Sequence, residues 1–235
     1  MKVFVILPTY NEKENISALL KKLIETSGKV KGYNMHIVIV DDNSPDGTGK
    51  IAENFGNKKV TAIIRKGKRG RGLAGIEGYN EAIRQNADYV IEMDADFSHD
   101  PTYIKQMLSV IKKQKADVVL GSRLVKGSND ERKNTFRKFV TKASNFYVRT
   151  ILGMKIRDCN SGYRCFRTEV LKDIIKELKA EGPDIIQEVT YKAYRKGYKI
   201  IEIPIMFKDR EKGKSKLGFR QLVKGLLIVL KLKFS

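Results

Sequence analysis

Long apolar runs are missing. No stretch of about twenty apolar residues occurs, so nothing in the sequence reads as a bilayer-spanning helix. The closest approach, residues 222–234, is short and interrupted by Lys224, Lys231 and Lys233. The start, residues 1–7, is too short for the apolar part of a signal peptide and is stopped by Pro8, so it reads as a first strand. Cysteine is scarce. Cys159 and Cys165 are too few for a disulfide framework in 235 residues, and their spacing is not that of a C-x-x-C metal site, so a reducing compartment is expected. Acid is the third shortage. Against 47 Lys and Arg stand 27 Asp and Glu, a formal net charge of +20, which calls for an anionic partner: nucleic acid, a phosphorylated ligand or an anionic membrane. No repeat, low-complexity tract or linker divides the chain, and 41% hydrophobic residues support one sizeable core, so a single domain over 1–235 is expected.

What is present is an alternation. Apolar, β-rich runs at 3–7, 37–40, 60–64, 89–93 and 118–120 are separated by helical patterns at about 12–26, 48–55, 73–85 and 101–113, the last opened by Pro101. That order predicts βαβ units and an α/β fold with a doubly wound, mainly parallel sheet flanked by helices. Ligands of such a sheet sit at the carboxyl ends of its strands. Polar clusters fall there: Pro8-Thr9-Tyr10-Asn11-Glu12, Asp41-Asp42-Asn43-Ser44 and Asp94-Ala95-Asp96. After Gly121 comes a basic segment, 123–149, whose Phe136, Phe139, Val140 and Phe146 recur at near-helical spacing and predict an amphipathic helix. A β pattern at 162–167, a helix at 184–196, a strand at 199–207, a Gly/Lys-rich loop at 208–218 and a terminal amphipathic helix complete the chain.

Asp94 and Asp96 stand just past a strand, one residue apart, and aim at one point if the backbone turns there. A hard cation such as Mg²⁺ or Mn²⁺ accepts one or two carboxylates and completes its shell with water and substrate phosphates. An isolated pair of this kind is usually a solvated acidic turn, so its setting must decide. Asp41 gives the second strand an acidic end, suited to a nucleobase or ribose. Ser44-Pro45-Asp46-Gly47 is turn chemistry, with Asp46 or Thr48 as a helix cap.

Together, Val5-Ile6-Leu7-Pro8-Thr9-Tyr10-Asn11-Glu12, Val40-Asp41-Asp42-Asn43-Ser44, Met93-Asp94-Ala95-Asp96-Phe97-Ser98-His99, Gly121-Ser122-Arg123 and Ser215-Lys216-Leu217-Gly218 resemble the family 2 glycosyltransferases. Within that family they look like the dolichyl-phosphate mannose synthases, which have the Rossmann-like GT-A fold, and the resemblance runs over residues 2 to about 227. It implies transfer of mannose from GDP-mannose to dolichyl or another polyprenyl phosphate, with inversion. It assigns Pro8, Tyr10, Glu12, Ile39 and Asp41 to the guanosine, and Asp94, Ala95 and Asp96 to metal and diphosphate. Ser98 takes a further metal-adjacent position where some relatives carry glutamine. Arg123 stands at the reaction centre, Arg137 grips the acceptor phosphate, and Arg210 and Lys216 belong to a mobile loop over the donor. Arginine forks match phosphate oxygens, which supports the first two independently. His99 is expected to be structural, because a phosphate nucleophile needs no base.

One departure is the segment from Arg65 to Gly72, more basic than the family's glycine-rich stretch, where the tasks of Lys68, Arg69 and Arg71 are open. The terminal segment 219–235 reads equally as a membrane-interface helix and as one packed on the core. Many relatives continue into transmembrane helices, so anchoring falls to a partner, to a surface helix or to further chain. The expected location is the cytoplasmic face of a membrane, peripherally bound. Three rivals remain: a polyprenyl-phosphate transferase using UDP-glucose, a non-catalytic sugar-nucleotide binder and a nucleic-acid module. For the last, neither stacking aromatics among the arginines nor a known motif is evident, so no nucleic-acid partner is expected.

Overall fold

The computed structural model describes residues 1–209 and 219–234. Its chain runs β1 (Lys2–Thr9), α1 (Lys13–Lys29), β2 (Asn34–Asp41), α2 (Thr48–Glu53), β3 (Val60–Ile64), α3 (Arg71–Arg84), β4 (Tyr89–Glu92), α4 (Tyr103–Lys113) and β5 (Val118–Ser122). There follow β6 (Asn129–Asp130), α5 (Thr135–Leu152), β7 (Arg164–Arg167), α6 (Thr168–Ile174), α7 (Ile185–Arg195), β8 (Ile200–Pro204), β9 (Met206–Phe207) and α8 (Phe219–Lys233). Seven strands form one sheet in the order β3-β2-β1-β4-β7-β5-β8, parallel except for β7, which pairs antiparallel with both β4 and β5. The mainly parallel α/β sheet expected from the alternation is therefore present.

The sheet is covered on both faces, which is why its strands are apolar on both. Val3, Val5 and Leu7 of β1 pack with Ile16, Leu19, Leu20 and Leu23 of α1 and with Ile104, Met107 and Ile111 of α4. Phe4 and Ile6 face the opposite layer with Ala74, Tyr79 and Ala82 of α3, Val170 and Ile174 of α6, and Val189 of α7. Both cysteines are free and buried, and burial pushes the Cys159 thiol up to about 12.

Three elements depart from the sequence pattern. The strand expected over 199–207 is two: β8 ends at Pro204, and after Ile205 the chain pairs as β9 with β6. The seven-residue α6 is too short to carry a periodic signal. Helix α5 forms, capped by Asn134, whose side chain accepts from the Arg137 amide at 3.0 Å, and closed by Gly153 at φ +67°. Its inward face, however, is Asn145, Val148 and Leu152, while Phe136, Phe139 and Phe146 are 71%, 66% and 69% exposed. Helix α8 lies against α5, with the Tyr147 hydroxyl donating to the Leu226 carbonyl at 3.1 Å. Val229 and Leu232 of α8 are buried; Leu226, Leu227, Leu230 and Phe234 are exposed. Among the described residues no helix is long and apolar enough to cross a membrane.

Candidate active site at the carboxyl edge of the sheet

Register brings the polar clusters together. Thr9 lies beside Asp41 and Ile6 beside Glu92, so β1, β2 and β4 end side by side. Beyond β4 the backbone turns through Phe97 at φ +63°, a conformation costly for a bulky side chain and characteristic of functional sites. The turn brings the Ser98 amide (3.1 Å) and hydroxyl (2.6 Å) onto Asp96 Oδ1. Ser98 thus stands behind Asp96, orienting its carboxylate. Asp96 and Ser98 are buried, whereas the Asp94 carboxylate is 36% exposed.

The Asp94 amide donates to His99 Nδ1 at 3.1 Å, and the imidazole stacks on Tyr163 at 5.1 Å with its edge to Phe207 at 5.4 Å. Burial lowers the His99 pKa, against the opposing pull of Asp94 and Asp96, so the ring is a neutral acceptor that fixes the turn, the structural part expected of it. Among the described residues no set of three or more His, Cys, Asp and Glu converges as a metal cage. Two carboxylates on one turn, one presented to solvent, fit Mg²⁺ or Mn²⁺, whose remaining positions water and phosphate oxygens fill.

At the end of β2 Asp41 is 1% exposed. Its Oδ1 accepts from the hydroxyls of Thr9 (3.0 Å) and Ser44 (2.6 Å), and Oδ2 accepts from the Ser44 amide (2.8 Å). Pro8 and Tyr10 flank this end of β1, while the Ile39 side chain is wholly buried in the core beneath it. The Glu12 amide donates to Thr48 Oγ1 at 2.9 Å, and Asp46 accepts from the Thr48 amide and hydroxyl, a turn bond within the loop; the cap of α2 is Gly47 at φ +88°, not Asp46 or Thr48 as the sequence pattern suggests.

The basic segment whose tasks were open closes over these strand ends. Arg65 and the Gly70 amide bind the Asp42 carboxylate, Arg69 donates to the Asp42 and Asn43 carbonyls and lies 4.9 Å over the Tyr10 ring, and Lys68 pairs with Glu181 at 2.5 Å. Arg71 bridges buried Glu92 (2.9 Å) and Asp94 (2.8 Å). Glu92 also pairs with wholly buried Arg164 at 2.5 Å and accepts from the Tyr79 hydroxyl. Burial alone would raise the Glu92 pKa, but Arg164 and Arg71 hold it below the ordinary carboxylate range. The only sequence signal for this network is an acid inside the apolar run 89–93.

On the far side Arg123 is clasped by Asp158, Nε at 2.8 Å and Nη2 at 2.7 Å, and lies 4.9 Å over the Phe207 ring; the electrostatic pull of Asp94 also reaches it. Nothing in the local sequence around Asp158 marks it as a partner of Arg123. Arg132 lies 5.4 Å over the same Phe207 ring and donates to Thr141 Oγ1, one turn past Arg137 on α5. Asn145 ties α5 to Asp158 at 3.3 Å. The described contacts thus join Asp94, Ala95, Asp96, Ser98 and Arg123 at one edge, with Arg137 on the adjoining helix. Arg210 and Lys216 lie outside the described residues.

The chain resembles known proteins. The pattern of the family described as "Glycosyl transferase family 2" matches residues 4–175. Polyprenol monophosphomannose synthase of Mycolicibacterium smegmatis is 34% identical over 92% of this chain and 81% of its own. Dolichol-phosphate mannosyltransferase of Pyrococcus furiosus is 38% identical over 92% of this chain, which spans 59% of that longer protein. Among solved structures, glucosyl-3-phosphoglycerate synthase of Mycobacterium tuberculosis, in complex with Mn²⁺, UDP and glucosyl-3-phosphoglycerate, superposes with a TM-score of 0.69 at 16% identity, over 98% of this chain and 78% of its own. That likeness establishes the GT-A architecture.

Proposed function

The chain belongs to glycosyl transferase family 2, and from that premise we propose that it is one catalytic domain moving mannose from GDP-mannose to a dolichyl or other polyprenyl phosphate at a membrane surface. The observation that carries the reading is the Asp94-Ala95-Asp96 turn, set between buried Asp41 at the end of β2 and the Arg123–Asp158 pair. Relatives named as polyprenol- and dolichol-phosphate mannosyltransferases, similar over nine-tenths of the chain, support the sugar and the acceptor class.

Asp94 and Asp96 would hold Mg²⁺ or Mn²⁺, which when bound supplies countercharge to the diphosphate as GDP departs. Asp41, Glu12, Tyr10 and Pro8 would form the nucleoside end, with the buried Ile39 side chain supporting it from beneath. Ser98 keeps the Asp96 carboxylate aimed. Arg123 offers phosphate its Nη1, since Asp158 and the Asn160 carbonyl take Nε and Nη2. Arg137 holds the acceptor from α5, and Arg210 and Lys216 close over the donor. The acceptor phosphate, already ionised, attacks the anomeric carbon as the bond to GDP breaks, giving inverted β-mannosyl phosphate lipid. Positioning and charge stabilisation supply the rate, without an acid/base pair.

Incubation with radiolabelled GDP-mannose and a short dolichyl phosphate, followed by organic extraction, tests donor, acceptor and reaction together. Label in the organic phase is expected. Its absence overturns the reading, and label from UDP-glucose instead would reassign the donor.

A further inference from the structure

Beside the Arg123–Asp158 pair lies a cleft of about 320 Å³ bounded by Leu124, Lys142, Asn145, Phe146, Arg149 and Arg157. Asn145 forms its inner wall and also bonds Asp158, so the cleft backs directly onto the proposed reaction centre. Lys142, Arg149 and Arg157 are all exposed and converge on it. Among the described residues none of the three forms a side-chain ion pair, whereas Arg123 and Arg132 each have an acidic partner.

Solvation accounts for a lone basic side chain; it does not account for what interleaves these. Phe139, Lys142, Phe146 and Arg149 follow one another at helical spacing along a single stripe of α5, and Phe136 extends it. Three phenylalanines about two-thirds exposed form an apolar patch of the kind that marks an interaction surface. The cores of protein–protein interfaces are depleted in lysine, whereas phenylalanine at acyl depth with lysine and arginine at headgroup depth is the arrangement of an interfacial helix. Helix α8, packed on α5, continues the face with exposed Leu226, Leu227 and Leu230 beside Lys231.

We propose that this cleft is a binding site for the phosphate headgroup of an anionic bilayer phospholipid, distinct from the acceptor, which Lys142, Arg149 and Arg157 hold while the α5 phenylalanines insert beside it. The proposal rests on the reading that the acceptor is lipid-borne. Docking through this cleft sets the acceptor-facing edge of the site against the headgroup layer, so a lipid phosphate reaches Arg123 without leaving the membrane.

The test is sedimentation of the full chain with vesicles of phosphatidylcholine, with and without phosphatidylglycerol, none containing polyprenyl phosphate. Wild type should favour the anionic vesicles. The variant Lys142→Gln/Arg149→Gln/Arg157→Gln should lose about fivefold in partition per charge, on the order of a hundredfold in all. Phe136→Ser/Phe139→Ser/Phe146→Ser should weaken binding to both vesicle types. All six positions are exposed, and unchanged melting temperatures verify folding. Both variants should retain mannosyl transfer to a short, water-soluble acceptor phosphate. Equal binding of wild type to both vesicle types, undiminished binding by the charge variant, binding of soluble glycerol phosphate as tight as that of vesicles, or retention of the face by RNA in preference to vesicles would each overturn the proposal. Partition is read without turnover, so it stands or falls separately from the transferase assay.

Discussion

Replacing Asp158 by asparagine keeps the shape of the side chain and removes its charge. Asp158 is wholly buried and accepts the amide, Nε and Nη2 of Arg123, whose side chain is only 11% exposed. Breaking such a pair from one side leaves a buried guanidinium uncompensated, at a cost of about 3–5 kcal/mol. In a domain of this length each kcal/mol moves the melting temperature by roughly 2–4 °C, so Asp158→Asn should melt roughly 6–20 °C lower by circular dichroism, with a matching loss in urea titration. Arg123→Met/Asp158→Leu, which removes both charges, should recover at least half of that loss. The difference between wild type and Asp158→Asn should also depend on pH in one direction. Burial alone would raise the Asp158 pKa, but Arg123 more than offsets it and holds the carboxyl below its ordinary value. A depressed folded-state pKa gives stabilisation that is complete above the unfolded value of about 3.9 and is lost as pH falls below it toward the folded value. The gap should therefore be widest near neutrality and close in acid. A Asp158→Asn variant within about 1 kcal/mol of wild type, or a double variant no more stable than the single one, would refute the claim that this pair is an integral buried unit.

Asp96→Ala should lower transfer by on the order of 10³-fold or more and abolish Mn²⁺ binding in calorimetry while leaving the melting temperature nearly unchanged. Chelation by EDTA should stop turnover of the wild type, and added Mn²⁺ or Mg²⁺ should restore it. Arg137→Ala should raise the KM for the acceptor by about 10–100-fold, the worth of one charge-assisted hydrogen bond, with little change in GDP affinity; equal losses in both would move that arginine away from the acceptor. Gly72→Ala would drive a Cβ to 2.2 Å from the Ala180 carbonyl oxygen, so the start of α3 must shift and take Arg71 with it. A loss of about 1–3 kcal/mol in urea titration is expected.

Much of the site was legible because parallel α/β sheets put function at strand ends, and Asp41, Asp94 and Asp96 fall just where apolar runs stop. The Phe97 turn was implied only by the need for both carboxylates to converge. What stayed hidden depends on distant pairing. Arg65, Lys68 and Arg71 are indistinguishable surface charges in sequence, and only the fold brings Asp42, Glu181 and Glu92 to them. The amphipathic pattern of α5 was readable, but periodicity does not say which face the core receives. Asn145, Val148 and Leu152 turned inward, and the phenylalanines outward.

The reversed strand β7 has a consequence for assembly. Because it runs against its neighbours, the chain enters it at the edge where the others exit, and the loop carrying Asp158 and Asn160 arrives beside Asp94. A ribosome-bound chain that has emerged only through α5 still has β4 and β5 without the strand that joins them, and Arg123 and Glu92 without Asp158 and Arg164. The proposed reaction centre is completed by a late, long-range insertion, so no activity is expected of a chain that has not yet placed β7.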